Sequence, residues 1–205
     1  MTRHKDPTVF AVTLGCPKNR VDTEFMLGDL LSNGFALVPD PEDADVLLVN
    51  TCGFLASARQ EGIETLRDLA DRARPGAAIV AAGCMAEQFR HEIREAVPEV
   101  GLFLGPRETL SIRRLLRTGR GCRAEPSCAD PRLVTTPAHY AYLKVADGCS
   151  RRCAFCIIPR IKGRQRSRTA DDLVAEARAL VGSGASEIVL VAQDLTRWGR
   201  DLPGT

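Results

Sequence analysis

The sequence predicts an α/β protein, with an N-terminal open parallel-sheet domain over residues 1–118 and the first part of a β/α barrel over 140–205. From Val9 to Thr118, short apolar runs alternate with amphipathic stretches, the pattern of a parallel sheet covered on both faces. The same alternation resumes after Tyr140. Between the two, residues 119–139 (GRGCRAEPSCADPRLVTTPAH) are rich in Gly, Pro, Ser and charge, the composition of a linker.

The elements follow in order. A strand is expected over 9–16 (VFAVTLGC), then a helix over 21–31 that ends at Asn33-Gly34. A second strand, 44–52 (ADVLLVNTC), leads to a helix over about 57–73, stopped by Pro75-Gly76. A third, 77–84 (AAIVAAGC), precedes a helix over 86–96; a fourth, 100–105 (VGLFLG), precedes one over 109–116. Beyond the linker come a strand over 141–146 and a helix over 170–181, with Asp171 and Asp172 in its first turn and Gly182 and Gly184 at its end. A last strand covers 187–194 (EIVLVAQD). Two strands do not close a barrel, so a longer protein is expected to complete it.

Composition narrows the function. The chain is 44% hydrophobic and 26% charged with a net charge of +2, which argues against a general polyanion binder. No run is long enough to span a membrane, and MTRHKDPTVF lacks the apolar core of a signal peptide, so a cytoplasmic location is expected. There the eight cysteines would be reduced ligands rather than disulfides.

Two groups of cysteines carry chemistry. Cys149, Cys153 and Cys156 are spaced C-x3-C-x2-C on a loop that follows a strand. Soft thiolates favour iron–sulfur clusters, zinc or copper(I). A structural zinc site takes four ligands and a four-iron cluster normally four thiolates, so three leave one position open. Cys16, Cys52 and Cys84 each end a predicted strand and each adjoins a glycine (Gly15, Gly53, Gly83). The carboxyl ends of parallel strands line one edge, where open α/β folds bind ligands, so three thiols 36 and 32 residues apart can converge. The competing reading is three small, apolar core residues. Cys122 and Cys128 have no strand to position them, and His4, His91 and His139 have no partner at ligand spacing; none is given a role.

The C-x3-C-x2-C loop resembles the cluster motif of radical S-adenosylmethionine (SAM) enzymes. With the three strand-end cysteines before it, the chain resembles the methylthiotransferases. The resemblance implies two 4Fe–4S clusters, one on Cys149, Cys153 and Cys156 that reduces SAM, and an auxiliary one on Cys16, Cys52 and Cys84 that carries the sulfur to be transferred. LGCPKNRVDTE (14–24) resembles the LGCPKNxVDSE motif of the branch that modifies an aspartate of small-subunit ribosomal protein twelve, departing at Thr23. CIIP (156–159) and VAQDLTRWGRDL (191–202) point the same way, the latter departing from AQDTTxYGxDL at Leu195 and Trp198. The alternatives are the branch that modifies adenosine in tRNA, or a non-catalytic iron–sulfur module.

The resemblance further implies a ribosomal protein as substrate, nucleic acid only indirectly, and an electron donor such as flavodoxin or ferredoxin. Gln193 ends the second barrel strand, where such enzymes hold the SAM amino group, and Arg166 and Arg168 suit its carboxylate. The basic run Arg151, Arg152, Arg160, Lys162, Arg164, Arg166 and Arg168 also fits an RNA-facing surface, although no aromatic residue beyond Phe155 is interleaved. Asn19, Asp22 and Glu24 either orient the Cys16 site or cap the helix beside it. No residue is assigned as catalytic.

Overall fold

The computed structural model describes residues 6–119 and 127–203. Cys122 and His4 lie outside the described residues.

The first region is a five-stranded sheet, every adjacent pair parallel. Its strands are β1 (Thr8–Thr13), β2 (Ala36–Leu37), β3 (Val46–Thr51), β4 (Ala78–Gly83) and β5 (Leu102–Leu104), in the order β2-β1-β3-β4-β5. β3 is buried along its whole length, which is why 44–52 reads as one apolar run rather than an alternation. Its side chains still part by face: Leu47 and Val49 pack with Ile63, Leu66 and Ile93, whereas Val46 and Leu48 pack with Met26, Leu30 and Ile112. Full burial of one such side chain contributes about 1.5–3 kcal/mol. The pattern did not show β2, a two-residue exposed strand at the edge.

Helices α1 (Pro17–Leu31), α2 (Ala56–Arg72), α3 (Cys84–Gln88), α4 (Arg90–Ala96) and α5 (Ile112–Thr118) cover the two faces. α1 starts four residues earlier than its apolar spacing indicates, because Pro17 suits a first helical position and Cys16 stands at the N-cap. Asn19, Asp22 and Glu24 are therefore buried within the helix, and all but its two ends are covered. The helix expected over 86–96 is two short ones, broken at Phe89.

The second region begins with β6 (Tyr140–Lys144) and β7 (Ala146–Asp147), continues through α6 (Ile158–Ile161), β8 (Arg166–Ser167) and α7 (Ala170–Gly182), and ends with β9 (Glu187–Val191). β6 and β9 are parallel, with α7 between them in sequence, a βαβ unit. Thr169 caps α7 by accepting from the Asp172 N–H at 3.3 Å. The expected strand 141–146 divides: β6 joins β9, and β7 turns aside to pair antiparallel with β8.

Residues 127–139 lie tightly against α1. The carbonyl of Pro131 occupies the space a side chain at Gly28 would need. Leu133 donates its N–H to Glu24 O at 3.0 Å. Arg132, 6% exposed at its side chain, donates to Glu24 Oε2 (2.9 and 2.6 Å) and to Tyr142 O (2.7 Å), and pairs with Glu176. Glu24 also accepts from Thr135 N (2.7 Å) and Thr135 Oγ1 (2.8 Å). The segment thus ties α1 to β6 and α7 through buried charge.

Candidate metal centres

In the order β2-β1-β3-β4-β5, the chain reverses direction of travel between β1 and β3, the place where open α/β sheets form a crevice beyond their carboxyl ends. Cys16 follows β1, Cys52 follows β3, and Cys84 follows β4 directly, as the first residue of α3. The strand-end pattern thus places three thiols, far apart in sequence, along one edge of the sheet. Gly83 (φ +90°) makes the abrupt change from strand to helix; a Cβ there would meet Asn50 Oδ1 and lie 2.6 Å from Thr51 O. A Cβ at Gly15 would come 2.7 Å from Cys52 Cβ, so the first two thiol loops touch only because position 15 has no side chain.

Asn19 joins those loops. Its amide donates to Leu14 O and Thr51 O, both at 3.1 Å, and its oxygen lies 3.6 Å from Cys16 Sγ. Asn50 donates to Asn19 O at 2.8 Å and Thr51 to Ala82 O at 2.7 Å. Of the three polar residues near the Cys16 site, Asn19 orients it, whereas Asp22 and Glu24 turn to the second region. Burial pushes the Cys84 thiol up to about 12; Lys162 opposes this, while Asp22, Cys52 and Cys16 add to it.

The second set sits on the loop between β7 and α6, closed at its base by the β7–β8 ladder and by Cys149 N–H to Gly163 O at 3.1 Å. Cys149 is buried, Cys156 half-buried and Cys153 exposed, and Phe155 between the last two is 95% exposed. The Arg151 N–H points at Cys149 Sγ, 3.5 Å away. The Arg151 side chain reaches Asp194 Oδ2 at 2.7 Å, and so clamps the loop to the end of β9. Asp194, accepting from Thr196 (2.6 Å) and Arg151, is held below the usual carboxylate range. Two residues beyond β9, both amide atoms of Gln193 are buried and neither is hydrogen-bonded. Buried polar groups of this kind call for a partner, a water or a polar ligand.

Arg168 has partners of its own: its guanidinium pairs with Asp172 at 2.5 Å and with Glu176 on α7, and so braces β8 against α7. One expectation changes. Lys162 leaves the basic run, for it is 1% exposed and paired with Asp147 and Asp22. Arg166 stays half-buried at the base of the loop, opposite Asp147 in the ladder. Among the described residues, no set of three Cys, His, Asp or Glu side chains closes round a single metal ion. Thiols on separate strand ends, with glycines beside them, suit a bulkier inorganic group.

Sequence reasoning missed the buried charges Lys144, Asp147, Arg132 and Glu176. Lys144 was the available signal, an ionised residue inside the otherwise apolar strand YAYLKVA.

The sheet thus carries three strand-end cysteines at one edge, and the βαβ unit that follows carries a three-cysteine loop. Uncharacterized protein family UPF0004 matches residues 8–105, and the Radical SAM superfamily matches 143–198. The chain is a homologue of the RimO-type methylthiotransferases. It is 48% identical to "Ribosomal protein uS12 methylthiotransferase RimO" of Anaeromyxobacter sp. (strain K), over 96% of this chain and 44% of the relative. The proteins of that name from Myxococcus xanthus and Geobacter sulfurreducens are 44% and 42% identical, over 96% of this chain and 43% and 46% of the relatives. The chain thus spans about half the length of the curated relatives it matches. A solved structure of the cobalamin-dependent S-adenosylmethionine radical enzyme OxsB, with aqua-cobalamin and S-adenosylmethionine bound, aligns with a TM-score of 0.58. It does so at 12% identity, over 93% of this chain and 34% of that one, a likeness of fold.

Proposed function

We propose that this chain is the cluster-bearing part of a methylthiotransferase that acts on an aspartate β-carbon of ribosomal protein uS12, in the cytoplasm, with two 4Fe–4S clusters and SAM as cofactors. The observation that supports the reading is the packing of the two cysteine-bearing segments against each other. α6, which follows the second thiol loop, packs on α3, which begins with Cys84. When bound, the cofactors supply one-electron chemistry able to break an unactivated C–H bond.

The residues of the chain divide the remaining work. Cys16, Cys52 and Cys84 are fixed by the sheet edge, so an auxiliary group would be held at a constant place. Cys149, Cys153 and Cys156 present three thiols and leave one position for the methionine part of SAM. The unpaired Gln193 amide, at the end of β9, is placed to meet its amino group, and Arg166 its carboxylate. The Arg151–Asp194 clamp holds the thiol loop over that strand end. A flavodoxin or ferredoxin would deliver the electron.

Iron and sulfide per chain after anaerobic reconstitution test the reading. About eight irons, falling to about four in a Cys16→Ala, Cys52→Ala, Cys84→Ala variant, are expected. About four in both would reduce the first set to core residues. For the substrate, the whole protein should add the mass of a methylthio group to a uS12 loop peptide; modification of a tRNA stem-loop instead would move the assignment to the other branch.

A further inference from the structure

Four buried charges meet in the seam between the two regions: Asp22 on α1, Lys144 on β6, Asp147 on β7, and Lys162 after α6. Lys162 Nζ lies 3.1 Å from Asp147 Oδ1 and 3.5 Å from Asp22 Oδ2. Lys144 Nζ pairs with Asp22 and lies 3.4 Å from Asp147 Oδ2. Each carboxylate thus meets both ammonium groups. Stability alone does not account for such a quartet, since well-packed apolar residues in its place are often equally stable or more so. What the charges add is register: an apolar contact tolerates sliding, whereas four mutual ion pairs hold one arrangement.

Asp22 is the member that comes from the first region, and it is firmly joined to the first cysteine set. It stands within two turns of Cys16, the N-cap of α1. Between them, Asn19 donates to Leu14 O and Thr51 O, and Asn50 donates to Asn19 O (2.8 Å) and Thr23 Oγ1 (3.0 Å). These bonds fasten the first turns of α1 to the segments that end in Cys16 and Cys52. The other members hold the base of the second set. Asp147 Oδ1 accepts from the Gly148 N–H at 2.9 Å, next to Cys149. Lys162 precedes Gly163, whose carbonyl accepts from the Cys149 N–H. The base is closed tightly, since a Cβ at Gly148 would meet Arg164 O and lie 2.7 Å from Gly163 O.

We propose that Asp22 is a positioning residue that fixes the separation of the two cysteine sites, by holding both ammonium groups beneath the Cys149 loop from the helix that starts at Cys16. The functional weight of the inference rests on the reading that both sites hold clusters and serve one substrate carbon. On that reading, a misplacement of about 1 Å can cost about a hundredfold in rate.

The test measures that separation in the metal-free chain, by double electron–electron resonance between nitroxides on Glu61→azidophenylalanine and Arg178→azidophenylalanine. Both positions are exposed, one on α2 and one on α7, and every cysteine stays in place. Three forms are compared: the intact quartet, Asp22→Asn, and Asp22→Asn with Lys144→Met, which rebalances the charge should the single change fail to fold. Both variants are expected to shift the main distance or to spread its distribution at least twofold. Thr169→Ala, which weakens α7 without touching the quartet, should leave the distribution unchanged, so that a loss of stability alone does not mimic the result. A folded double variant with an unchanged distribution would overturn the proposal and leave the quartet a structural contact. The cluster reading is tested apart, by the iron counts above. No iron at the first site would overturn the functional role even where the distances change. Iron at both sites with unchanged distances would fell the inference alone.

Discussion

The first cysteine site takes its thiols from positions 36 and 32 residues apart, whereas the second takes them from eight consecutive residues. The first rests on the ends of three neighbouring strands of a packed sheet, with Cys84 8% exposed. The second is a loop pinched at its base, with Cys153 in solvent. A site assembled from distant segments is only as firm as the fold beneath it, but that fold costs it no further ordering when it is filled. A contiguous site needs little of the fold, and leaves more of its ordering to the moment of binding.

Several substitutions sharpen or break this contrast. The largest effect should come from Glu24, the acceptor that joins α1 to residues 127–139. Glu24→Ala takes from the buried Arg132 guanidinium one of its two carboxylates, leaving Glu176, and from Thr135 its acceptor, and should lower unfolding free energy by about 3 kcal/mol, read from urea titrations. A loss under 1 kcal/mol would mean that the two regions adhere by apolar contact instead. Next comes thiol chemistry before any metal is loaded. With Cys84 pushed up to about 12, its thiolate fraction at pH 8 is about a thousandfold below that of an ordinary thiol of pKa near 9. Iodoacetamide followed by peptide mass analysis should therefore label Cys153 promptly and Cys84 only after denaturation. Early labelling of Cys84 would show a loose first site.

Gly83→Ala should cost about 1–3 kcal/mol for its backbone conformation alone, before the contact with Asn50. It should also remove iron from the first site and spare the second, by iron count in the two triple-cysteine backgrounds. Equal loss from both would mean that the sites do not form independently. The smallest effect is Thr169→Ala. Removing the α7 cap should cost about 1 kcal/mol in urea and leave the iron content of the first site unchanged.

The same contrast explains what the sequence revealed. C-x3-C-x2-C could be read directly because its spacing is local. Cys16, Cys52 and Cys84 could be read only together, since each ends an apolar run and a parallel sheet aligns such ends. The buried ion pairs escaped because their partners are distant: Asp22 and Lys144 are 122 residues apart, and Glu24 and Arg132 are 108 apart. No periodicity links such positions. The ion pairs of Arg168 escaped for a related reason. They are made with Asp172 and Glu176, one and two turns away on α7, outside the basic run in which it stands. β2 was too short to carry a pattern at all.

The sheet beneath the first site completes its core from Val9, Leu47, Leu48, Val80 and their neighbours, without help from anything the thiols hold. The housing and its contents therefore have separate lifetimes. On the proposed function, a protein that gives up sulfur at each turnover can be emptied and refitted while its scaffold stands, so its working life is set by resupply rather than by fresh synthesis.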